Sequence, residues 1–221
     1  MAPPLLDLRL RGLSRQGTPI LRDVTLQLHR GETLALVGPS GVGKSSLLRV
    51  IAGIDQQFDG TCQLNGTCAM VFQEPTLLPW RTVVQNICVA TGVSDGDAEQ
   101  ALADVGLEGR GADYPGQLSL GQQRRLALAR AFAVKPDLLL LDEPFVSLDP
   151  GLVDEMMALF ARLRDRHGVT TILVTHVADE AAKLATRIVT LAGAPATLVD
   201  DVQNDGAYFQ LSASGVTSSR S

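Results

Sequence analysis

The sequence GPSGVGKS, residues Gly38–Ser45, constrains the fold of this chain more than any other stretch. It fits the pattern G-x-x-x-x-G-K-[ST], which is meaningful when a strand precedes it and a helix follows it. The residues before it, TLALVG, form an apolar run of strand length, and Lys44–Ala52 is a helical stretch. Backbone N–H groups of such a loop wrap a phosphate chain, and the helix N-terminus adds partial positive charge. The pattern therefore predicts a strand–loop–helix unit that binds phosphate.

Two side chains of this loop suit a nucleoside triphosphate. We expect Lys44 to reach the β- and γ-phosphates and Ser45 to ligate Mg²⁺. The alternative, a flexible glycine loop without a ligand, leaves the strand–loop–helix context unexplained. The predicted nucleotide-binding residues of the loop are Gly38, Pro39, Ser40, Gly41, Val42, Gly43, Lys44, Ser45 and Ser46.

Four short apolar runs indicate buried parallel strands, because they do not alternate with polar residues. Helical stretches separate them, and this order predicts an α/β fold. Each run ends in a polar or glycine feature, and ligands of open α/β sheets bind beyond the carboxyl ends of the strands. If the runs share one sheet, these features face one crevice. The runs are Thr33–Gly38, Ala69–Gln73, Leu138–Pro144 and Thr171–His176.

The third run, LLLLDEP, ends in two adjacent carboxylates, Asp142 and Glu143. Asp142 has the position of an aspartate that holds Mg²⁺ beside a phosphate loop. Glu143 could take a proton from water that attacks the γ-phosphate. The alternative, an exposed turn with two acids, is disfavoured because a buried strand should not end in uncompensated charge. His176 could donate a hydrogen bond to the γ-phosphate, although a single histidine, like the single Gln73, is more often structural.

The stretch LSLGQQRRLALARAF, residues 118–132, predicts a helix that starts at an anion site. Ser119 is placed as the N-cap, and Gln122 follows at the capping-box offset. Gly121 lies in the first turn, where glycine weakens a helix by up to ~1 kcal/mol relative to alanine, and a helix start with bare N–H groups binds anions well. Three arginines follow on this helix, and we favour a solvated face over phosphate binding for them: Arg124, Arg125 and Arg130.

The domain organisation is predicted as one domain over residues 1–200 with a helical insertion at about 75–133. The first thirty residues alternate as antiparallel strands do, and Asn65-Gly66 in CQLNGTC suggests a hairpin. Within the insertion, Leu77, Leu78 and Trp80 suit either its core or a groove that receives a short helix of a partner. Residues 201–221 are predicted as a polar, partly disordered tail.

Net charge and hydropathy pattern argue against several classes of protein. The formal net charge of −5 argues against a nucleic-acid partner, which needs a basic surface. The first ten residues, MAPPLLDLRL, lack the pattern of a secretory signal. No apolar run approaches the ~20 residues that span a bilayer, so we expect a soluble chain whose role at a membrane depends on partners.

Together these motifs resemble an ABC-type ATPase. In chain order they are similar to its Walker A, Q-loop, signature, Walker B, D-loop and H-loop, over nearly the whole chain to about Gly193. The resemblance implies an α/β P-loop NTPase fold with a mostly parallel core sheet, an N-terminal antiparallel β subdomain and a helical insertion. The matching segments are Gly38–Ser45, Gln73, Leu118–Gln122, Asp142-Glu143, Ser147–Asp149 and His176.

The resemblance implies hydrolysis of ATP to ADP and phosphate with Mg²⁺ as cofactor. Catalytic roles then belong to Glu143, His176 and Gln73. The implied metal ligands are Ser45, Gln73 and Asp142. In the family, the signature serine and glycine contact the γ-phosphate bound by the other copy in a head-to-tail dimer, which implies a homodimer and roles for Ser119 and Gly121. The resemblance also assigns Gln122 and Asp149 to nucleotide binding.

Within the family, Met70–Ile87 resembles the ATP-binding subunits of nitrate/sulfonate/taurine-type importers. This implies integral membrane permease subunits, an indirect extracytoplasmic substrate-binding protein, and a peripheral location on the cytoplasmic face of the membrane. A soluble ABC ATPase acting on DNA or ribosomes is the second hypothesis, and a small-molecule P-loop kinase is the third.

Three departures from the family pattern stand out. The signature has Leu120 where glycine is usual, and we expect the nucleotide contact to survive with altered packing. The aromatic residue that stacks on adenine is missing from Ser14–Pro19, with Gln16 roughly in its place. Base stacking contributes ~1–3 kcal/mol elsewhere, so we expect weaker ATP binding or another hold on the base. The link NGTCAMVFQ is also short.

Overall fold

The structure, a computed structural model, describes residues 3–204. Strands and helices alternate from residue 138 to residue 193, as the apolar runs predict. The strands are β1 (Leu6–Arg15), β2 (Thr18–Leu28), β3 (Thr33–Val37), β4 (Asp59–Leu64), β5 (Cys68–Val71), β6 (Leu138–Asp142), β7 (Thr170–Val174), β8 (Arg187–Gly193) and β9 (Ala196–Gln203). The helices are α1 (Lys44–Ile51), α2 (Val83–Thr91), α3 (Asp95–Asp104), α4 (Leu120–Ala133), α5 (Pro150–His167) and α6 (Ala178–Leu184), with a 3₁₀ turn at Pro115–Gln117.

The described chain forms two compact units. The first contains residues 3–65 and 172–204, and the second contains residues 66–171. β7 begins in the second unit and ends in the first. The prediction of a single domain over residues 1–200 stays a prediction.

In the first unit, long antiparallel strands lie beside parallel ones. β1 pairs with both β2 and β4 in antiparallel register, and β3 pairs with β8 in parallel register. β9 is antiparallel to β8 and parallel to β2. Along β1, Leu6, Leu8 and Leu10 are buried while the residues between them are more exposed, so the predicted half-exposed antiparallel strands are confirmed.

In the second unit, β5 and β6 pair in parallel, and every residue of β6 is buried. The backbone N–H of Thr170, at the start of β7, donates to Asp137 O at 3.2 Å. The predicted insertion contains α2, α3, the 3₁₀ turn and α4. The helices predicted at Lys44–Ala52, Ser119–Val134 and Gly151–Arg166 are confirmed as α1, α4 and α5. No end of these helices differs from its predicted position by more than one residue.

Two predictions about the chain are wrong. The Asn65-Gly66 hairpin does not form, because β4 pairs with β1 and β5 pairs with β6. The polar tail does not begin at residue 201, because β9 continues to Gln203 and pairs with β8 there, Arg187 opposite Gln203. Residues 205–221, the remainder of that predicted tail, lie outside the described range. Among the helices of residues 3–204, none is both long and apolar enough to cross a bilayer.

Candidate active site

The glycine-rich loop lies between β3 and α1, as its pattern predicts. Gly43 is the N-cap of α1 with φ 113° and, as a glycine, brings no side chain of its own to cap the helix. Lys44 is only 4% exposed. Its Nζ donates hydrogen bonds to Gly38 O at 2.8 Å and to Pro39 O at 2.9 Å. The ammonium group is therefore held against the loop that precedes its own helix.

Packing requires glycine at two positions of the loop, and the loop supplies donors that suit a phosphate chain. A Cβ atom at Gly38 would lie 2.3 Å from Leu191 O, and one at Gly43 would lie 2.8 Å from Leu21 Cδ2. Only glycine permits these close approaches at positive φ. The N–H groups of the first turn of α1, together with the Lys44 ammonium, supply the donors and positive charge that polyphosphate needs.

His176 follows β7 and is exposed. The preceding Thr175 donates its N–H to Leu36 O at 3.3 Å, which brings this turn to the end of β3. The Thr175 hydroxyl donates to the Glu180 carboxylate and accepts the Val177 N–H at 3.0 Å. Because Thr175 and Glu180 are 1% and 6% exposed, the turn carrying His176 is held from inside. The sequence analysis did not identify Thr175 or Glu180. The signal that could have found them is a threonine directly before His176 and a glutamate four residues after it.

In the second unit, Gln73 and the two carboxylates lie at the same ends of neighbouring strands. Val71 is opposite Leu141 in the parallel pair β5–β6, Gln73 follows β5 by two residues, and Asp142 ends β6. Asp142 is 8% exposed. Glu143 is more exposed and has φ 46°, a conformation that non-glycine residues adopt rarely and mostly where function or tight turns require it.

Ser119 caps α4 as predicted. Its Oγ accepts the Gln122 N–H at 3.3 Å, and its N–H donates to Gln122 Oε1 at 2.9 Å. Gly121 has a second reason to be glycine: a Cβ there would lie 2.8 Å from Leu152 Cδ2 on α5. Gly121 therefore permits close packing of α4 on α5. Leu120, the departure from the family signature, is 46% exposed at the helix start.

Asp149 is the N-cap of α5, and its Oδ1 accepts the Leu152 N–H at 3.1 Å. Pro150 follows at the first helical position, where proline is favoured. Asp149 therefore has a structural role that the sequence reasoning did not identify.

The three arginines of α4 do not form a solvated face, and that prediction is wrong. Arg124 donates to the backbone carbonyls of Gln73 and Val146. Arg125 donates to Val105 O at 3.0 Å and pairs with Glu155. Arg130 donates to Pro75 O and Thr76 O, both at 3.0 Å. Burial lowers the pKa of Arg124 and that of Arg130.

The segment after Gln73 is held by a buried amide. Asn86 is 0% exposed, and its Oδ1 accepts the Leu78 N–H at 2.7 Å. Its Nδ2 donates to carbonyl oxygens of Leu78, Arg81 and Thr82 at 3.0–3.1 Å. Trp80 is 69% exposed. Of the two alternatives for Trp80, a place in the core of the insertion is therefore excluded.

Gln16 lies in the tight turn between β1 and β2. Gln16 and Gly17 have φ 50° and 79°, as the two central residues of a type I′ hairpin turn require. No aromatic residue occurs in Ser14–Pro19.

The structure thus places the predicted site residues in two groups. The first unit carries the loop Gly38–Ser46 and His176. The second unit carries Gln73, Asp142, Glu143, Asp149 and the helix start at Ser119–Gln122. Each group combines a strand end or helix start with polar side chains, as a phosphate-transfer site requires.

Comparisons with known proteins agree with this arrangement. The family model described as ABC transporter matches residues 21–146. The aliphatic sulfonates import ATP-binding protein SsuB 2 of Burkholderia cenocepacia (strain HI2424) is 41% identical over 216 residues, covering 93% of this chain and 80% of the relative. SsuB 1 of Rhodococcus jostii (strain RHA1) is 43% identical over 192 residues, covering 84% of this chain and 78% of the relative.

Solved structures show the same fold. A dimeric, post-hydrolysis structure of the ATP-binding cassette MJ0796 bound to ADP and Pi has a TM-score of 0.79 and 27% identity, over 90% of this chain and 98% of that one. The cbiO1 structure from Clostridium perfringens, part of the ABC transporter complex cbiONQ, has a TM-score of 0.82 and 23% identity, over 96% of this chain and 93% of that one. These findings confirm the predicted fold class and the resemblance to sulfonate-type importer ATPases. The chain belongs to the ABC transporter family and has the fold of its ATP-binding cassettes.

Proposed function

We propose that this chain is the ATP-hydrolysing subunit of a membrane importer. One observation carries the proposal: the start of α1, with glycine as its N-cap, and the buried Lys44 ammonium meet in a loop whose positions 38 and 43 only glycine can occupy. This arrangement supplies donors and charge for the β- and γ-phosphates of ATP. Relatives that are 41–43% identical are named as import ATP-binding proteins, which favours this role over a soluble non-transport ABC ATPase.

In the proposed reaction, water attacks the γ-phosphorus, the bond between the β–γ bridging oxygen and the γ-phosphorus breaks, and ADP leaves. Glu143 accepts the proton of the attacking water, and His176 donates a hydrogen bond to the γ-phosphate. The Ser45 hydroxyl, the Asp142 carboxylate and the Gln73 amide are oxygen ligands of the kind that Mg²⁺ prefers. When bound, Mg²⁺ neutralises phosphate charge.

We further propose that two copies of the chain pair head to tail around two ATP molecules. The exposed hydroxyl of Ser119 and the start of α4 would contact the γ-phosphate that the other copy binds. Gln122 and Asp149 flank this contact at the starts of α4 and α5. The dimeric state of MJ0796 supports the proposal, since that protein has the same fold.

We also propose that integral permease subunits hold this protein at the cytoplasmic face of the membrane. The segment Gln73–Trp80 is the proposed contact, because buried polar side chains fix its backbone while Trp80 stays exposed. An extracytoplasmic binding protein would act indirectly, through the permease. Aliphatic sulfonates, named for the relatives, are the first substrates to test.

The hydrolytic role is tested with Glu143→Gln. Loss of a general base should lower ATP turnover about 10²–10⁴-fold while nucleotide binding persists and an ATP-bound dimer accumulates on size-exclusion chromatography. Glu108→Gln, an exposed glutamate outside the site, is the matched control and should keep normal turnover. Near-normal turnover of Glu143→Gln would refute the assignment.

A further inference from the structure

Arg124 joins three functional segments of the second unit. It lies in the second turn of α4, the helix that Ser119 caps, and is only 6% exposed. Its Nη1 donates to Gln73 O, and its Nη2 donates to Val146 O at 3.2 Å. Val146 follows Glu143 by three residues and precedes Asp149 by three. One guanidinium therefore contacts the backbone of the two loops of the second unit that carry proposed catalytic residues.

This arginine is buried at an electrostatic cost. Burial lowers its pKa, and the neighbouring Glu74 carboxylate only partly opposes that effect. Within residues 3–204, its Nε has no hydrogen-bond partner. A buried cation without a full set of partners is unfavourable, and an apolar side chain of similar size commonly packs as well or better. The two carbonyl contacts are therefore the structural reason for an arginine here.

A second arginine of the same helix fixes the residues that follow Gln73. Arg130 donates to Pro75 O and Thr76 O, and also to Thr76 Oγ1 at 3.1 Å. Thr76 has φ 46°, so its backbone conformation needs external support. Arg125, beside Arg124, instead binds Val105 O and Glu155. Arg124 and Arg130 thus contact one loop, whereas Arg125 contacts another part of the unit.

We propose that Arg124 is a positioning residue that couples α4 to the two catalytic loops. Through its carbonyl contacts, the guanidinium sets Gln73 and the loop after Glu143 at fixed positions relative to the Ser119 helix start. A displacement of α4 then moves both loops together. This inference rests on the proposed function, in which Gln73 and Glu143 act on ATP.

The test is Arg124→Met, which removes both hydrogen bonds and retains an unbranched side chain. Misplacement of reacting groups by about 1 Å can cost 10²-fold in rate, so kcat should fall about 10- to 100-fold, with an unchanged Kd for ATP. Trp80 is the single tryptophan of the chain and lies in the segment that follows Gln73. Its time-resolved fluorescence anisotropy should show larger nanosecond motion in Arg124→Met.

Two further variants separate positioning from general stability. Arg124→Lys keeps a cationic donor and should restore part of kcat and of the Trp80 order. Arg125→Met should leave kcat and the Trp80 anisotropy unchanged, because Arg125 contacts neither loop. Unchanged kcat and anisotropy in Arg124→Met would overturn the inference, as would equal effects of Arg124→Met and Arg125→Met.

The same experiment distinguishes failure of the proposed function. If the unmodified protein neither bound nor hydrolysed ATP, the proposed function would fail. The Trp80 anisotropy would still report whether Arg124 holds the loop. If the unmodified protein hydrolysed ATP and only the Arg124 effects were missing, the positioning role alone would fail.

Discussion

Replacement of Asn86 by alanine should destabilise the second unit more than any surface change on α2. The Asn86 amide is fully buried, and all its polar atoms are used. Its Oδ1 accepts one N–H, and its two Nδ2 hydrogens are shared among three carbonyl oxygens of residues 78–82. Asn86→Ala removes these contacts and leaves the Leu78 N–H without its acceptor.

The magnitude follows from the number of hydrogen bonds. About three net hydrogen bonds at ~1 kcal/mol each are lost, and a buried donor left unsatisfied costs a further ~1 kcal/mol or more. Partial solvation of the opened loop offsets some of this loss. We therefore expect the free energy of unfolding to fall by about 3 kcal/mol, which lowers Tm by roughly 6–12 °C for a chain of this size.

The measurement is urea denaturation followed by Trp80 fluorescence, with Tm determined separately. Val89→Ala, a change on α2 at a side chain that is 58% exposed, is the control and should change stability by less than about 0.5 kcal/mol. Asn86→Asp keeps an acceptor for Leu78 but turns a carboxylate oxygen toward carbonyl oxygens, so it should be at least as destabilised as Asn86→Ala. A loss below ~1 kcal/mol in Asn86→Ala, the value of a single hydrogen bond, would refute this account of the loop.

Two functional predictions concern contacts with partners. Ser119→Arg should abolish ATP hydrolysis while each copy still binds nucleotide. Mixing this variant with Lys44→Ala should restore part of the activity, because one of the two composite sites then has an intact glycine-rich loop and an intact start of α4. If mixing restored no activity, head-to-tail pairing would be contradicted. Trp80→Ala should reduce transport and assembly with the permease by about tenfold, the loss expected for ~1.4 kcal/mol of contact energy. The Tm and the basal ATPase activity of the isolated subunit should stay unchanged. If the subunit lost stability as much as it lost assembly, an interface role would be contradicted.

Much of the fold could be predicted because the signals were local. Unbroken apolar runs located β3, β6 and β7 to within two residues, since strands buried on both faces have no polar alternation. The capping box of Ser119 and Gln122 was predicted because both partners lie within one helical turn. The prediction of a hairpin at Asn65-Gly66 is wrong, because strand pairing depends on which distant strand is available as well as on the turn. The surrounding strands paired instead with β1 and β6.

The sequence by itself determined the glycine-rich loop, the order of the motifs and the family, since each depends on residue types at fixed spacing. Only the tertiary structure decided what the arginines of α4 bind, because Arg124 and Gln73 are 51 residues apart. It also decided that Gly121 packs against Leu152 and that Asn86 holds the segment on both sides of Trp80. A side chain's intrinsic chemistry is present in the sequence, but its partner depends on the long-range packing that brings distant segments together. For this reason the loop Gly38–Ser45 could be identified in advance, whereas the contacts that position Gln73 could not.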